Sequence, residues 1–283
     1  MKTHIVFSIL YLLPLFLFSN VENVEALDIN IFPEQRLSEN IIHNSIALSP
    51  ETSFSFGYSS ALANEIITFG AGGKIPFFSF KITDDLTVDS GAFGVISSIF
   101  APFSASFDFI HVDYFAGAYS DIAFGNWLFE LNVFHISSHL GDDLIKNTSP
   151  EIKNVGIESV RLYINRKFGK ELYLSAGYEG KFGARPEDVI FYRNSMFLGF
   201  NLQLPDFWPY PKLNIETELF SFSQLPNMGV RFSIPLNPAN QIDEIQRTLR
   251  HEIFLAFYSG YSKKGFFYNS NELLLTGGFA FQL

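Results

Sequence analysis

Apolar and polar residues alternate along this chain with a period of two, and this alternation constrains the fold more than any other feature. Residues 126–133 show it most clearly. There the apolar positions Trp127, Phe129, Leu131 and Val133 are interleaved with Asn126, Glu130 and Asn132. Successive side chains of a β-strand point to opposite faces. The segment therefore predicts a strand with one apolar face and one polar face.

The same patterning recurs between turn signals at 70–73, at Asp84-Asp85 and at Gly169-Lys170. It predicts about twelve strands, with ten or fourteen also open. The predicted strands are 61–70, 74–82, 89–100, 107–119, 126–138, 155–168, 171–182, 191–204, 211–222, 227–236, 248–259 and 272–283. Residues 27–60 are interpreted as an extended periplasmic lead-in, and residues 240–250 as a short helical piece.

The N-terminus has the pattern of a secretory signal peptide over residues 1–26. Lys2 and His4 form a short polar region, residues 5–18 an apolar region, and Val24-Glu25-Ala26 a small-residue cleavage site. The apolar run is too short to span a bilayer as a mature helix. A retained helical anchor is the alternative.

Composition excludes several classes of function. The net charge of −10 argues against a nucleic-acid surface, which needs clustered Lys and Arg. The absence of cysteine excludes disulfides and thiolate metal sites. We expect no cofactor and no bound metal.

A secreted antiparallel chain with Phe-rich faces predicts either a soluble sandwich or a transmembrane barrel with a polar lumen. Two features favour the barrel: aromatic residues near strand ends, including Trp127 and Tyr258, and the alternating apolar end at 279–283. We therefore predict an all-β antiparallel barrel over 61–283 in the bacterial outer membrane. The expected partners are membrane lipid or lipopolysaccharide and the outer-membrane assembly machinery, and a homodimer is left open.

The densest polar cluster of the chain follows the 126–133 pattern. Carrying the alternation forward puts His135, Ser137 and His139 on the apolar, lipid-directed face, and the same argument puts Glu158 on that face of the next strand. A serine needs a base to take its proton, and the base works best when a third group orients it. We therefore predict an acyl-ester hydrolase in which Ser137, His135 and Glu158 are catalytic.

Backbone N–H groups where this strand should break could receive an oxyanion. The predicted oxyanion and rim residues are Ser138, His139, Gly141 and Asp142.

Other interpretations of the cluster stay open. Its residues could bind lipid headgroups without catalysis, or His135, His139 and Asp142 could hold a divalent ion. A β-bulge would turn them into the lumen. A small-solute channel is a further alternative, although the mixed lumen charges Glu130 and Arg161 do not favour it.

Several motifs resemble a bacterial envelope family known as domain of unknown function 1207. They lie within residues 90–283 and are FHISSHLGDD at 134–143, VGIESVRL at 155–162, LYLSAGY at 172–178 with Arg185-Pro186, and FYSGYSKKGFFY at 257–268. In the last motif Lys263-Lys264 replaces the family's Pro-Asn. The resemblance implies an outer-membrane barrel and brings no assigned activity.

The His-x-Ser spacing of His135 and Ser137 is also similar to that of outer-membrane lipid A deacylases and phospholipase A. This resemblance implies hydrolysis of a lipid acyl ester, with a third polar residue on the adjoining strand. In those enzymes the third residue follows more closely than Glu158 does here. Ser138 stands where the deacylases commonly have Asn.

Overall fold

The structure is a computed structural model, and it describes residues 28–31, 52–104, 107–148, 154–169, 171–185, 194–204, 211–220, 226–236, 250–262, 267 and 270–282. The predicted signal peptide lies outside these residues. So does the predicted helical piece, except for Arg250, which begins a strand. Among the described residues, no helix has the length and apolar character needed to cross a membrane.

Within those ranges the chain forms antiparallel strands and one short helix. They are β1 (Asp28–Ile31), β2 (Thr52–Ser59), β3 (Asn64–Lys81), β4 (Leu86–Ala101), β5 (Asp108–Phe124), β6 (Trp127–Leu140), α1 (Asp142–Thr148), β7 (Asn154–Phe168), β8 (Leu172–Arg185), β9 (Asn194–Gln203), β10 (Lys212–Phe220), β11 (Asn227–Pro235), β12 (Arg250–Tyr261) and β13 (Asn271–Gln282).

Strands β2 to β13 close into a twelve-stranded barrel. Each pairs with its neighbours in sequence, and β13 pairs with β2 to complete the ring. β1 adds to the far end of β3, where Asp28 lies opposite Lys81. The predicted all-β antiparallel barrel is confirmed.

The start of the barrel differs from the prediction. The barrel begins at Thr52, so the predicted lead-in of 27–60 was too long. β2 alternates cleanly, with Phe54 and Phe56 exposed on the outside and Ser55 and Ser59 buried inside. Its inward residues are small and polar, which made the segment resemble an irregular lead-in.

The predicted turn at 70–73 is also wrong, because β3 runs through it as one strand. A Cβ atom on Gly72 would lie 2.7 Å from Val95 Cγ2 and 3.0 Å from the carbonyl oxygen of Gly94 on β4. This glycine therefore permits close approach of a neighbouring strand rather than a reversal of the chain.

The two faces of β6 agree with the prediction. Trp127 and Val133 are exposed on the outside, whereas Glu130 and Asn132 are buried inside. The register of β6 with both β5 and β7 is unbroken from Trp127 to His139, so no bulge reverses its faces. Tyr258, predicted at an outer aromatic belt, is instead buried inside.

Paired charges fill much of the described interior. Lys74 Nζ lies 2.9 Å from Asp121 Oδ2 and 3.3 Å from Glu130 Oε2. Arg161 Nε donates to Glu179 Oε2 at 2.7 Å. Burial of ions is tolerated when they are paired in this way.

The sequence predicts that Arg161, Arg166 and Arg193 pair with acidic residues of the lumen, and the outcomes differ. Pairing of Arg161 with a lumen acid is confirmed, since Glu179 is its partner. The same expectation for Arg166 is wrong, because its guanidinium lies 4.7 Å from the ring of Trp127 on the outer face. Arg193 lies outside the described residues.

An apolar cluster inside the barrel backs the C-terminal half of β6 and the N-terminal end of β7. Its members are Phe93, Phe115, Tyr119, Phe134, Ile136, Val155 and Ile157. Phe134 and Ile136 alternate with the outward residues His135 and Ser137 of the same strand. This packing fixes the backbone that carries the polar cluster of β6.

Candidate active site

A polar row interrupts the apolar outer surface on β6 and β7. His135, Ser137 and His139 all point outward from β6 because they continue the parity of Trp127 and Val133. Directly opposite them on β7 lie Glu158, Gly156 and Asn154, respectively. Directly paired residues share a face, so the row forms one surface across two hydrogen-bonded strands.

Ser137, His139 and Asn154 form a continuous hydrogen-bonded chain. The Ser137 Oγ atom lies 2.8 Å from His139 Nε2, and His139 Nδ1 lies 2.7 Å from Asn154 Oδ1. Because an amide oxygen only accepts, His139 Nδ1 carries the proton and its Nε2 lone pair accepts the hydroxyl proton of Ser137. This is the arrangement in which a histidine can act as general base toward a serine.

His135 and Glu158 form a second pair beside this chain. His135 Nδ1 lies 2.8 Å from Glu158 Oε1, and both side chains are about half exposed. The contact predicted between these two residues is therefore present. In the described part of the chain, however, the hydroxyl of Ser137 is hydrogen-bonded to His139 and not to His135. The structure thus divides the predicted trio into two sets.

The sequence argument missed Asn154 and Tyr114. Asn154 begins β7, and only the strand register reveals that it faces His139. Tyr114 lies opposite Ser137 on β5, and its ring meets the imidazole of His139 edge to face, with centroids 5.9 Å apart. Tyr114 therefore restricts the orientation of the imidazole from the side opposite Asn154.

Gly156 has no side chain to cover the surface beside Ser137. It is the direct partner of Ser137 on β7, and a Cβ added to it would meet only the Cε1 atom of His135, at 3.6 Å. A larger residue here would fill the space between the two hydrogen-bonded pairs. The glycine leaves that space open to a bound molecule.

Two of the predicted oxyanion residues, Ser138 and Gly141, make other contacts. β6 does not break at Ser138 but continues to Leu140, so Ser138 points inward, where its hydroxyl is 2.8 Å from His111 Nε2. The N–H of Gly141 donates to the Ile110 carbonyl oxygen at 2.8 Å.

Gly141 has a packing role instead. A Cβ on this residue would lie 1.9 Å from the carbonyl oxygen of Phe109, so only glycine lets β5 and the end of β6 approach this closely. Asp142 follows as the exposed first residue of α1. Among the described residues no three His, Asp or Glu side chains converge to hold a metal ion, so their placement does not support the divalent-ion alternative.

Three solved structures share this fold. Outer membrane phospholipase A from Escherichia coli has a TM-score of 0.58 and 14% identity, over 85% of this chain and 96% of that one. The Salmonella typhi enzyme, solved as a dimer with bound calcium, has a TM-score of 0.58 and 13% identity, over 84% of this chain and 93% of that one. In an active-site mutant of the Escherichia coli enzyme an asparagine is replaced by alanine. Its structure has a TM-score of 0.56 and 14% identity, over 85% of this chain and 94% of that one.

At these identities the likeness establishes the fold, which resembles that of outer-membrane proteins. None of the curated proteins matches the chain in sequence. The model of one protein family matches residues 20–276, nearly the whole chain. The chain belongs to that family, which is described as a protein of unknown function (DUF1207).

Proposed function

We propose that this protein is an outer-membrane hydrolase of lipid acyl esters, with Ser137 as nucleophile, His139 as general base and Asn154 as the group that orients the base. The observation that carries the proposal is the chain of two hydrogen bonds, Ser137 Oγ to His139 Nε2 at 2.8 Å and His139 Nδ1 to Asn154 Oδ1 at 2.7 Å. Nucleophile, base and orienting group within hydrogen-bond reach are the geometric signature of an activated serine.

The reaction proceeds in two acyl transfers. Ser137 Oγ attacks the ester carbonyl carbon while its proton passes to His139 Nε2, and collapse of the tetrahedral intermediate expels the alcohol, which takes that proton. Water then gives a proton to the same nitrogen and attacks the acyl-serine. The fatty acid leaves, and the proton returns to Ser137. Asn154 holds the imidazole in the required tautomer throughout.

The position of the row supports a membrane lipid as substrate. The same outer face carries the exposed side chains of Trp127 and Val133 on β6 and Ile164 on β7, which suits contact with hydrocarbon. A substrate that diffuses within the bilayer would reach Ser137 from the side. The shared fold with a phospholipase, for which an active-site asparagine variant has been solved, supports the same class of reaction.

The loops support placing the row toward the cell exterior. β6 and β7 are joined by 141–153, which includes α1, whereas β5 and β6 at the other end are joined by the turn at Gly125. Such barrels have short periplasmic turns and longer external loops. On this basis the row lies at the level of the outer leaflet.

The described interior gives less support to a channel. Ion pairs such as Lys74 with Asp121 and the apolar cluster around Phe134 occupy the lumen side of the strands. A channel requires a continuous wet path lined by available polar groups. Lipid binding without catalysis is the second candidate, and the following experiment separates it from hydrolysis.

The test compares outer membranes containing the wild-type protein, Ser137→Ala, or the control Ser120→Ala. Ser120 is a serine of β5 whose Oγ atom lies 3.0 Å from Ser90 Oγ, within hydrogen-bond distance. Lipid and free fatty acid are measured after equal insertion has been verified by heat-dependent electrophoretic mobility. We expect fatty acid release by the wild-type and Ser120→Ala proteins and none by Ser137→Ala. Identical lipid profiles for all three would refute hydrolysis and leave lipid binding.

A further inference from the structure

Arg185 occupies a distinctive position on the outer surface of the barrel. It is the last residue of β8, it is exposed, and it lies directly opposite Gly156 of β7. Its neighbour Ala184 packs against the interior apolar cluster, so Arg185 points outward by alternation. Strands β5 to β8 are described in full, and Arg166 and Arg185 are the lysine or arginine residues of their outer face, at opposite ends of the sheet.

The register puts Arg185 in the same row as the proposed nucleophile. Ser137 pairs with Gly156, and Gly156 pairs with Arg185. Adjacent strands are about 4.8 Å apart, so the Cα atoms of Ser137 and Arg185 are separated by roughly 10 Å. In the strand ladder the residue between them is Gly156.

The environment of Arg185 favours an anion. Within the described residues its guanidinium takes part in no ion pair, in contrast to the buried Arg161 with Glu179. Glu158 lies diagonally across the same face, but its carboxylate accepts a hydrogen bond from His135. Arg166, the other outward arginine, is instead stacked on Trp127.

We propose that Arg185 binds the phosphate of the lipid substrate across the Gly156 gap, so that an ester of the same molecule meets Ser137. The inference rests on the hydrolase proposed above and specifies its substrate as a phosphate-bearing acyl ester. A guanidinium donates two parallel hydrogen bonds to a phosphate, which fixes orientation as well as position. A strand end at the interface is the depth at which lipid phosphates lie.

The phosphate could belong to a glycerophospholipid or to lipid A, since both combine it with acyl esters. The first measurement therefore uses three substrates in mixed micelles: phosphatidylglycerol, lipid A and neutral diacylglycerol. Wild-type protein, Arg185→Ala, Arg185→Lys and the control Arg166→Ala are compared. Whichever phosphate-bearing substrate the wild type hydrolyses identifies the source.

We expect Arg185→Ala to raise KM for that substrate about tenfold or more, because the free energy of a lost charge-assisted hydrogen bond corresponds to a change of about that size. The rate on diacylglycerol should be unchanged, Arg185→Lys should be intermediate, and Arg166→Ala should behave as wild type. An equal effect of Arg185→Ala on neutral and phosphate-bearing substrates, or no effect on either, would overturn the phosphate assignment while leaving the hydrolase intact.

A binding measurement separates the two proposals. Ser137→Ala protein, which cannot turn over, is titrated calorimetrically with dihexanoyl phosphatidic acid, with dihexanoylglycerol as the neutral probe. We expect about tenfold weaker binding of the phosphatidic acid when Arg185→Ala is added, and no change for the neutral probe. That result together with an inactive wild type would refute the hydrolase alone. Equal affinity with and without Arg185 would refute the phosphate site.

Discussion

The choice between two histidines is the sharpest test of the proposed mechanism. His135 and His139 lie two residues before and after Ser137 on the same face of β6, so each Cα is roughly 7 Å from that of the serine. Each has an orienting partner on β7, Glu158 for His135 and Asn154 for His139. Of the two histidines, His139 is the one that accepts a hydrogen bond from the Ser137 hydroxyl in the described part of the chain. Replacing each histidine by alanine should therefore have unequal effects.

The magnitudes follow from these contacts. Loss of a general base typically costs 10²–10⁴ in rate, and we expect this for kcat of His139→Ala. Asn154→Ala removes one hydrogen bond of about 1 kcal/mol net, which corresponds to about a fivefold lower kcat. His135→Ala, at a half-exposed side chain outside the chain of hydrogen bonds, should change kcat by no more than about twofold.

The assay is fatty acid release from mixed micelles by refolded protein. Heat-dependent electrophoretic mobility verifies that each variant is a closed barrel, and Glu158→Gln serves as the matched control for Asn154→Ala. The reasoning is refuted if His135→Ala and Glu158→Gln abolish turnover while His139→Ala remains active. Ser137 would then use the other histidine after rotation about its Cα–Cβ bond.

Three further predictions concern the barrel that supports the site. Phe134→Ala should lower the free energy of unfolding by about 3–5 kcal/mol, measured by denaturant titration in micelles, because the ring is buried in the interior apolar cluster; a loss below about 1 kcal/mol would contradict that packing. Lys74→Met should lower the free energy of unfolding by about 3–5 kcal/mol, because it leaves the buried carboxylates of Asp121 and Glu130 without their shared cation. The same titration measures this loss, with Lys81→Met, at an exposed ion pair, as the control. Gly141→Ala should destabilise by about 1–3 kcal/mol and lower kcat, since its Cβ would overlap backbone; unchanged unfolding and turnover would refute the close approach.

Strand faces could be predicted from sequence because alternation is a local property. Once Trp127 and Val133 define the outer face of β6, the outward placement of Ser137 follows without knowledge of any other strand. Glu158 could be predicted in the same way from its own strand. The barrel itself follows from many such strands with the apolar face outward.

The structural role of the glycines could not be predicted from the local sequence. The glycines at 70–73 have the same composition as a turn, but Gly72 lies in the middle of β3, where Val95 of the neighbouring strand approaches. Gly141 and Gly156 are likewise explained by what lies across the ladder. The role of each glycine depends on which neighbouring group occupies the space that its side chain would fill.

The sequence by itself thus determined the fold class and the outward face on which Ser137 lies, because both depend on periodicity along one strand. Only the tertiary structure decided which groups meet the serine. The register between β6 and β7 brings Asn154, rather than Glu158, to His139. Cross-strand pairing is non-local, since a shift of one residue exchanges every partner and every face. For this reason the hydrogen-bonded chain through His139 could be found only after the strands were paired.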